Sequence, residues 1–324
     1  MYNNANAIIR PELSTLVEEA AAADKYFIAS KVFPPFNSET ATGQYLKITK
    51  NSGELQKKNV TERAPKSPYG RVDRTYVTDN FSCVDRGLEE ALDDAATAKI
   101  KNFFGPQGVE GTTSKLVLRS VMLGHEDRVA GIVMNPANFD HAEAAVEYAA
   151  AAQETATPHI DIQNAIKRLQ KRGELVNALV CNRDVFDYIR NCQKIATWLF
   201  GPLGGGQNVT AEMLAKAFGI EQIHIADATI DGSPKGKIAD ADYIWTPDYI
   251  WLGNVQGGPL EAGGAGRTIV FTGDAASLFV TETYRDEKIR SDIVRVRQHT
   301  DEKVVSQPCG TLIETGWDPA PAQN

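Results

Sequence analysis

A chain of 324 residues, 42% hydrophobic and 23% charged, has the makeup of a folded soluble protein, and its length predicts two domains. A formal net charge of −8 excludes a general nucleic-acid-binding surface, which would be basic, but suits a wall that repels phosphate. Four cysteines (Cys83, Cys181, Cys192 and Cys309) without CxxC spacing give no disulfide framework, and no apolar run approaches membrane-spanning length.

The start, "MYNNANAIIRPEL", has no charged region followed by an apolar run. The expectation is therefore a cytoplasmic product without a secretory signal. Residues 1–42 read as an arm. Pro11 opens a short helix, "ELSTLVEEAAAADKY", with Leu13, Leu16 and Val17 as a thin stripe. Pro34 and Pro35 in "VFPPFNSETATG" then predict a break in regular structure.

Residues 43–83 read as a hairpin with an extended tip. "QYLKITK" alternates and predicts a strand, and "RVDRTYVTDNFSCV" predicts a second. Between them lies "KNSGELQKKNVTERAPKSPYGR", residues 50–71, with six basic side chains (Lys50, Lys57, Lys58, Arg63, Lys66, Arg71) against Glu54 and Glu62. Its net charge is +4, so the rest of the chain stands near −12. With Leu55 and Val60 as its only aliphatics, this stretch cannot bury itself, and long loops of that kind are functional or disordered.

From Asp85 the period changes. "DRGLEEALDDAATAKIKNFFG" offers Leu88, Ala91, Leu92 and Ala95 on one helical face, with Asp85, Glu89, Glu90, Asp93 and Asp94 clustered beside them. "TTSKLVLRSVMLGHEDRVAGIVMN" predicts a long helix from Ser114 to Met134, capped by Thr113 or Ser114. Val121, Met122, Val129 and Ile132 are the expected core of that helix.

The middle of the chain has α/β character. Thr157-Pro158 starts a helix that Gly173 ends, "ELVNALVC" is a strand, Asn182 caps "RDVFDYIRN", and Thr210 caps "AEMLAKAF" ahead of Gly219. "IEQIHIADATI" and "ADYIWTPDYIWLGNV" predict further strands. From Ser277 the alternation predicts antiparallel strands, followed by a polar tail.

No stretch carries legible catalytic chemistry. "HEDRV" begins like a zinc-binding helix, but Val129 stands where the second histidine is needed, so His125 reads as a packing residue. The other histidines do not group at ligand spacing, and His224 between two isoleucines reads as structural. "GPLGGGQNVT" and "GGPLEAGGAGRT" lack the Lys-Ser/Thr pair of a phosphate loop and read as flexible surface loops. The acidic cluster reads as a solvated face or a surface for a basic partner. No metal, cofactor or catalytic residue is assigned, and an enzymatic role is not expected.

The order of parts carries more than any motif. An arm is followed by a hairpin with a charged tip, a long helix, a compact α/β block and closing strands. This resembles the major capsid protein family of tailed bacteriophages over nearly the whole chain. "RVDRTYVTDNFSCVDRGLEEALDDAATAKI" resembles the return strand of the family's extended loop and its link to the spine helix. "LVLRSVMLGHEDRVAGIVMN" resembles the spine helix, and "PHIDIQNAIKRLQKRGELVNALVCNRDVFDYIRNCQKI" the opening of the axial domain.

The resemblance implies an α+β fold. Its peripheral domain would comprise residues 84–155 and 268–308, and its axial domain residues 156–267 and 309–324. It implies an icosahedral shell of hexamers and pentamers around double-stranded DNA, assembled in the host cytoplasm, with portal and scaffolding or decoration proteins as partners. It also implies that the extended loop reaches over an adjacent subunit, so Lys57, Lys58, Arg63 and Lys66 are expected on a neighbour. The acids Asp85, Glu89, Glu90, Asp93 and Asp94 are the candidate acceptor. Two alternatives stay open: a cellular nanocompartment of the same fold enclosing enzyme cargo, and a soluble α/β enzyme holding a phosphate at a Gly-rich loop.

Overall fold

The structure is a computed structural model. It describes residues 7–49, 62–63, 65–69, 77–95, 106–201, 209–233, 236–238, 240–260, 263–273 and 277–318. No helix among them is long and apolar enough to cross a membrane. Two sheets organise the chain. The first has the order β1 (Ile8–Ile9), β13 (Val280–Asp286), β14 (Ser291–Val304), β12 (Gly266–Phe271) and β2 (Pro35–Ser38), with β5 (Val84–Asp93) also on β14. β13 and β12 divide one edge of β14 between residues 291–297 and 300–304, while β5 takes the other edge over 291–300. The second sheet has the order β6 (Asp140–Glu143), β15 (Gly310–Glu314), β11 (Tyr249–Gly253), β7 (Ala178–Asn182) and β8 (Gln222–Ala226), and β9 (Thr229–Asp231) with β10 (Ala241–Tyr243) forms a separate antiparallel pair.

Helix α3 (Pro106–Val133) joins the two sheets. Its 28 residues span about 42 Å at 1.5 Å per residue. Val117, Leu118, Val121 and Met122 pack with Val17, Phe27, Phe279 and Val296 at the first sheet. Val129, Ala130 and Val133 pack with Phe33, Val180, Trp251 and Leu312 at the second. Val121, Met122 and Val129 are buried as expected, whereas Ile132 is only half-buried at the edge of that core. The helix also begins before Thr113 and Ser114. Neither residue is its cap, because the turn ahead of them is already helical. The Ser114 hydroxyl instead donates back to the Glu110 carbonyl at 2.8 Å.

Helix α1 (Pro11–Ala23) opens on Pro11 and buries Leu13 and Val17. The short helix α2 (Ala29–Val32) follows. Around the second sheet lie α4 (Pro158–Gln170), α5 (Arg183–Asn191), α6 (Gln193–Phe200) and α7 (Ala211–Phe218). Asn182 accepts from the Asp184 N–H, Thr210 accepts from the Met213 N–H, and Gly219 ends α7 at φ 71°. β7, flanked by strands on both edges, has all five residues buried.

Three expectations are overturned. The segment from Asp85 is a strand, not a helix: β5 pairs in ten-residue antiparallel register with β14. Its helical spacing loses to the unfilled edge of a strand two hundred residues later. Gly87 fits that pairing, since a Cβ there would meet the Arg297 Cβ at 2.7 Å. Pro35 does not end regular structure. It begins β2, which pairs parallel with β12 at the border of the sheet, where a missing N–H is tolerated. The closing strands are not all antiparallel. β13 and β14 are, but β15 crosses to the second sheet and pairs antiparallel with β11 and parallel with β6.

Candidate intersubunit surface

A hairpin stem is built from β3 (Thr42–Lys47) and β4 (Val77–Ser82), antiparallel from Thr42↔Ser82 to Lys47↔Val77. Its root is fixed to the first sheet. Tyr45 and Phe81 pack with Cys83, Ile269 and Val305. The Tyr45 hydroxyl donates to the Val304 carbonyl at 3.1 Å, the Ile48 N–H to the Val305 carbonyl at 2.9 Å, and the Ser82 N–H to Asp301 at 2.7 Å. Lys47 pairs with Asp79 across the stem at 2.8 Å.

Lys57 and Lys58 lie outside the described residues. Arg63 and Lys66 are exposed. The Arg63 guanidinium carbon sits 4.9 Å from the Tyr69 ring centroid, and Lys66 occupies a turn at φ 65°. The described parts of the tip therefore present charge to solvent.

The acids of β5 are not an empty receptor. Glu89 accepts from Arg295 at 2.9 Å and from the Tyr284 hydroxyl at 3.0 Å. Asp94 holds Arg285 by two bonds of 2.7 Å, and Asp85 lies 3.8 Å from Arg297. Arg295 and Arg297 both reach Glu282 on β13, at 3.4 and 2.8 Å. This is a charge ladder across β5, β14 and β13. The Asp93 carboxylate accepts from the Ala95 N–H at 3.1 Å, and Glu90 lies exposed on the other face, opposite Val294. The sequence shows the acids; their arginine partners, some two hundred residues away, have no local signal.

The junction of arm, spine and second sheet is a buried carboxylate, which the sequence reading passed over. Glu126 on α3 accepts from the Ile28 N–H at 3.0 Å, the Ala29 N–H at 2.8 Å and the Trp245 indole N–H at 2.7 Å. Burial pushes its pKa up, against those three donors. Its spacing from Met122, Val129 and Val133 puts it on the apolar stripe, a signal visible in sequence. His125 is a packing residue, as expected: it is buried, with Nε2 3.2 Å from the Thr268 hydroxyl. Burial lowers its pKa to about 4. Burial also pushes the neighbouring Glu302 carboxyl up, but the Arg128 fork at 3.0 Å and His125 outweigh it and hold the pKa low.

Of the Gly-rich stretches, residues 202–208 lie outside the described residues. The second is not a free loop. The carbonyls of Gly258, Gly263 and Gly266 accept from the buried Arg267 guanidinium. Carbonyl oxygens turned toward a cation make a poor phosphate cradle, which needs N–H groups.

No protein-family model matches the chain, and no curated protein does. Solved structures do match. A phage-related protein from Bordetella bronchiseptica RB50 superposes with a TM-score of 0.71 at 21% identity, over 95% of this chain and 97% of that one. The capsid of cyanophage P-SCSP1u gives a TM-score of 0.53 at 10% identity, over 90% and 87%. The chain has the capsid-protein fold of tailed phages. Its β3–β4 hairpin is that fold's extended loop, α3 its spine helix, and the sheet of β6, β15, β11, β7 and β8 with its helices the axial α/β part. The holo-SrpI encapsulin complex from Synechococcus elongatus PCC 7942 matches with a TM-score of 0.52 at 9% identity, over 91% and 89%.

Proposed function

We propose that this chain is a non-enzymatic structural subunit of a tailed-phage capsid. Copies of it form hexamers and pentamers that tile an icosahedral shell around double-stranded DNA. The observation that carries the reading is end-to-end agreement of the fold with a phage-related protein, 95% of one chain on 97% of the other. An acidic subunit suits the role, because its wall does not adhere to the packaged phosphate backbone. Ring contacts join unlike faces of successive copies, and the β3–β4 hairpin can make one of them. The shell is completed in the host cytoplasm with portal and scaffolding or decoration proteins.

The encapsulin likeness favours a second reading, a cellular nanocompartment shell around protein cargo. Particles isolated from the native source separate the two. Genome-length DNA and one portal vertex per particle are expected. Particles filled with protein cargo, without DNA or portal, would overturn the phage assignment and leave the nanocompartment.

A further inference from the structure

Where α1 and α2 pack on α3, the interior is not filled. A cavity of about 300 Å³ lies there, between the two arm helices, the long helix and the chain entering β13. Roughly 150 Å³ already suffices for benzene. The arm meets this space with Ala21, Ala22, Ala29 and Ser30, side chains too short to close it. Phe27, Met122 and Phe279, all buried, are its apolar walls. Glu18, Ala22 and Ser30 are exposed and mark its mouth.

Two buried polar residues, His125 and Glu126, also line the cavity. They differ in what they still have to offer. The Glu126 carboxylate is occupied by the N–H groups of Ile28, Ala29 and Trp245. His125 is only half used. The Thr268 hydroxyl has one proton and gives it to the Phe33 carbonyl at 3.0 Å. Across the 3.2 Å contact it is therefore His125 Nε2 that donates, and Thr268 that accepts. Burial keeps the imidazole neutral. Nδ1 is then a bare acceptor, and among the described residues nothing donates to it. A buried acceptor of that kind calls for a donor.

We infer that this cavity binds a small neutral molecule with an apolar body and one hydrogen-bond donor, the chemical class of phenol, and that His125 Nδ1 receives the donor. The apolar walls take the body, as in most small-molecule sites, and one placed polar atom selects among apolar guests. A guest without a donor leaves Nδ1 unmet. An anionic guest meets two carboxylates, Glu126 within and Glu18 at the mouth. The bound molecule touches arm, long helix and first sheet together, so it holds α1 and α2 against α3. The site belongs to the single subunit and does not depend on the shell reading.

The test titrates the full-length protein, as unassembled subunits at neutral pH, with phenol as the probe. The methyl signals of its four methionines are the readout. Met122 lines the cavity, whereas Met134 packs in the core at the second sheet and Met213 lies exposed on α7. A saturable shift confined to Met122 is expected, with Met122→Leu identifying the signal. Toluene keeps the ring and lacks the donor. It is expected to bind roughly 3–10-fold more weakly, the worth of one hydrogen bond. Benzoate is expected not to compete. Ala21→Leu fills the cavity from α1 and should abolish the Met122 shift, and Ser30→Leu does the same from α2 should the first variant fail to fold. No Met122 shift at any phenol concentration would overturn the inference. So would toluene or benzoate binding as tightly as phenol. A shift that survives cavity filling would overturn it too, by placing phenol elsewhere.

Discussion

At the scale of single residues, Glu126 matters most to the fold. It joins three parts of the chain through donors that are satisfied nowhere else in the described structure. Glu126→Ala leaves those N–H groups buried without an acceptor and is expected to cost about 3–5 kcal/mol in denaturant unfolding. The two histidines set an acid limit. Burial lowers both His125 and His224 to about 4, below the usual 6.5. The unfolded chain therefore binds protons that the folded chain refuses. Their stability contribution is complete above pH 6.5 and is lost as pH falls toward 4, by a few kcal/mol in total. Unfolding free energy measured against pH should decline across that window, and His125→Gln should flatten the slope. Glu126 works in the opposite sense, since its raised pKa disfavours the fold as pH rises through it. The packing role of His125 is legible from the missing second ligand at Val129, but its partner Thr268 is not, because it lies on β12, far along the chain.

At the scale of elements, most helix ends and the pairing of strands close in sequence, β3 with β4 and β13 with β14, were legible, whereas the cap expected at Thr113 or Ser114 and the long-range pairing of β5 were not. Pro11, Asn182, Thr210 and Gly219 act within a few residues of themselves, so the sequence marks their helix ends directly. The segment from Val84 to Asp93 has Leu88, Ala91 and Leu92 at helical spacing, and only the distant edge of β14 makes it a strand. Gly87 tests that pairing. Gly87→Val forces a side chain into the Arg297 Cβ and the Val296 carbonyl. The strands must part, at an expected cost of about 1–3 kcal/mol. Amide exchange should show the loss concentrated in β5. Unchanged protection there would mean that the strand tolerates a wider spacing.

At the scale of the whole molecule, fold and function separate in the extended loop. The tip of the loop has no core of its own in the sequence, so reversing its charge should spare the subunit. Replacing Lys57, Lys58, Arg63 and Lys66 together by glutamate is expected to move the unfolding free energy of the subunit by less than about 0.5 kcal/mol per site. Particle yield should collapse, because weak exposed pairs matter through repetition over many equivalent contacts. For the unmutated protein, yield should fall with added salt as those pairs are screened. The most direct measurement is electron microscopy of the purified full-length protein, taken across concentration and salt and with its scaffold supplied. Hexameric or pentameric rings, tubes or closed shells are the predicted result. A chain that stays monomeric under every one of those conditions would contradict the shell role.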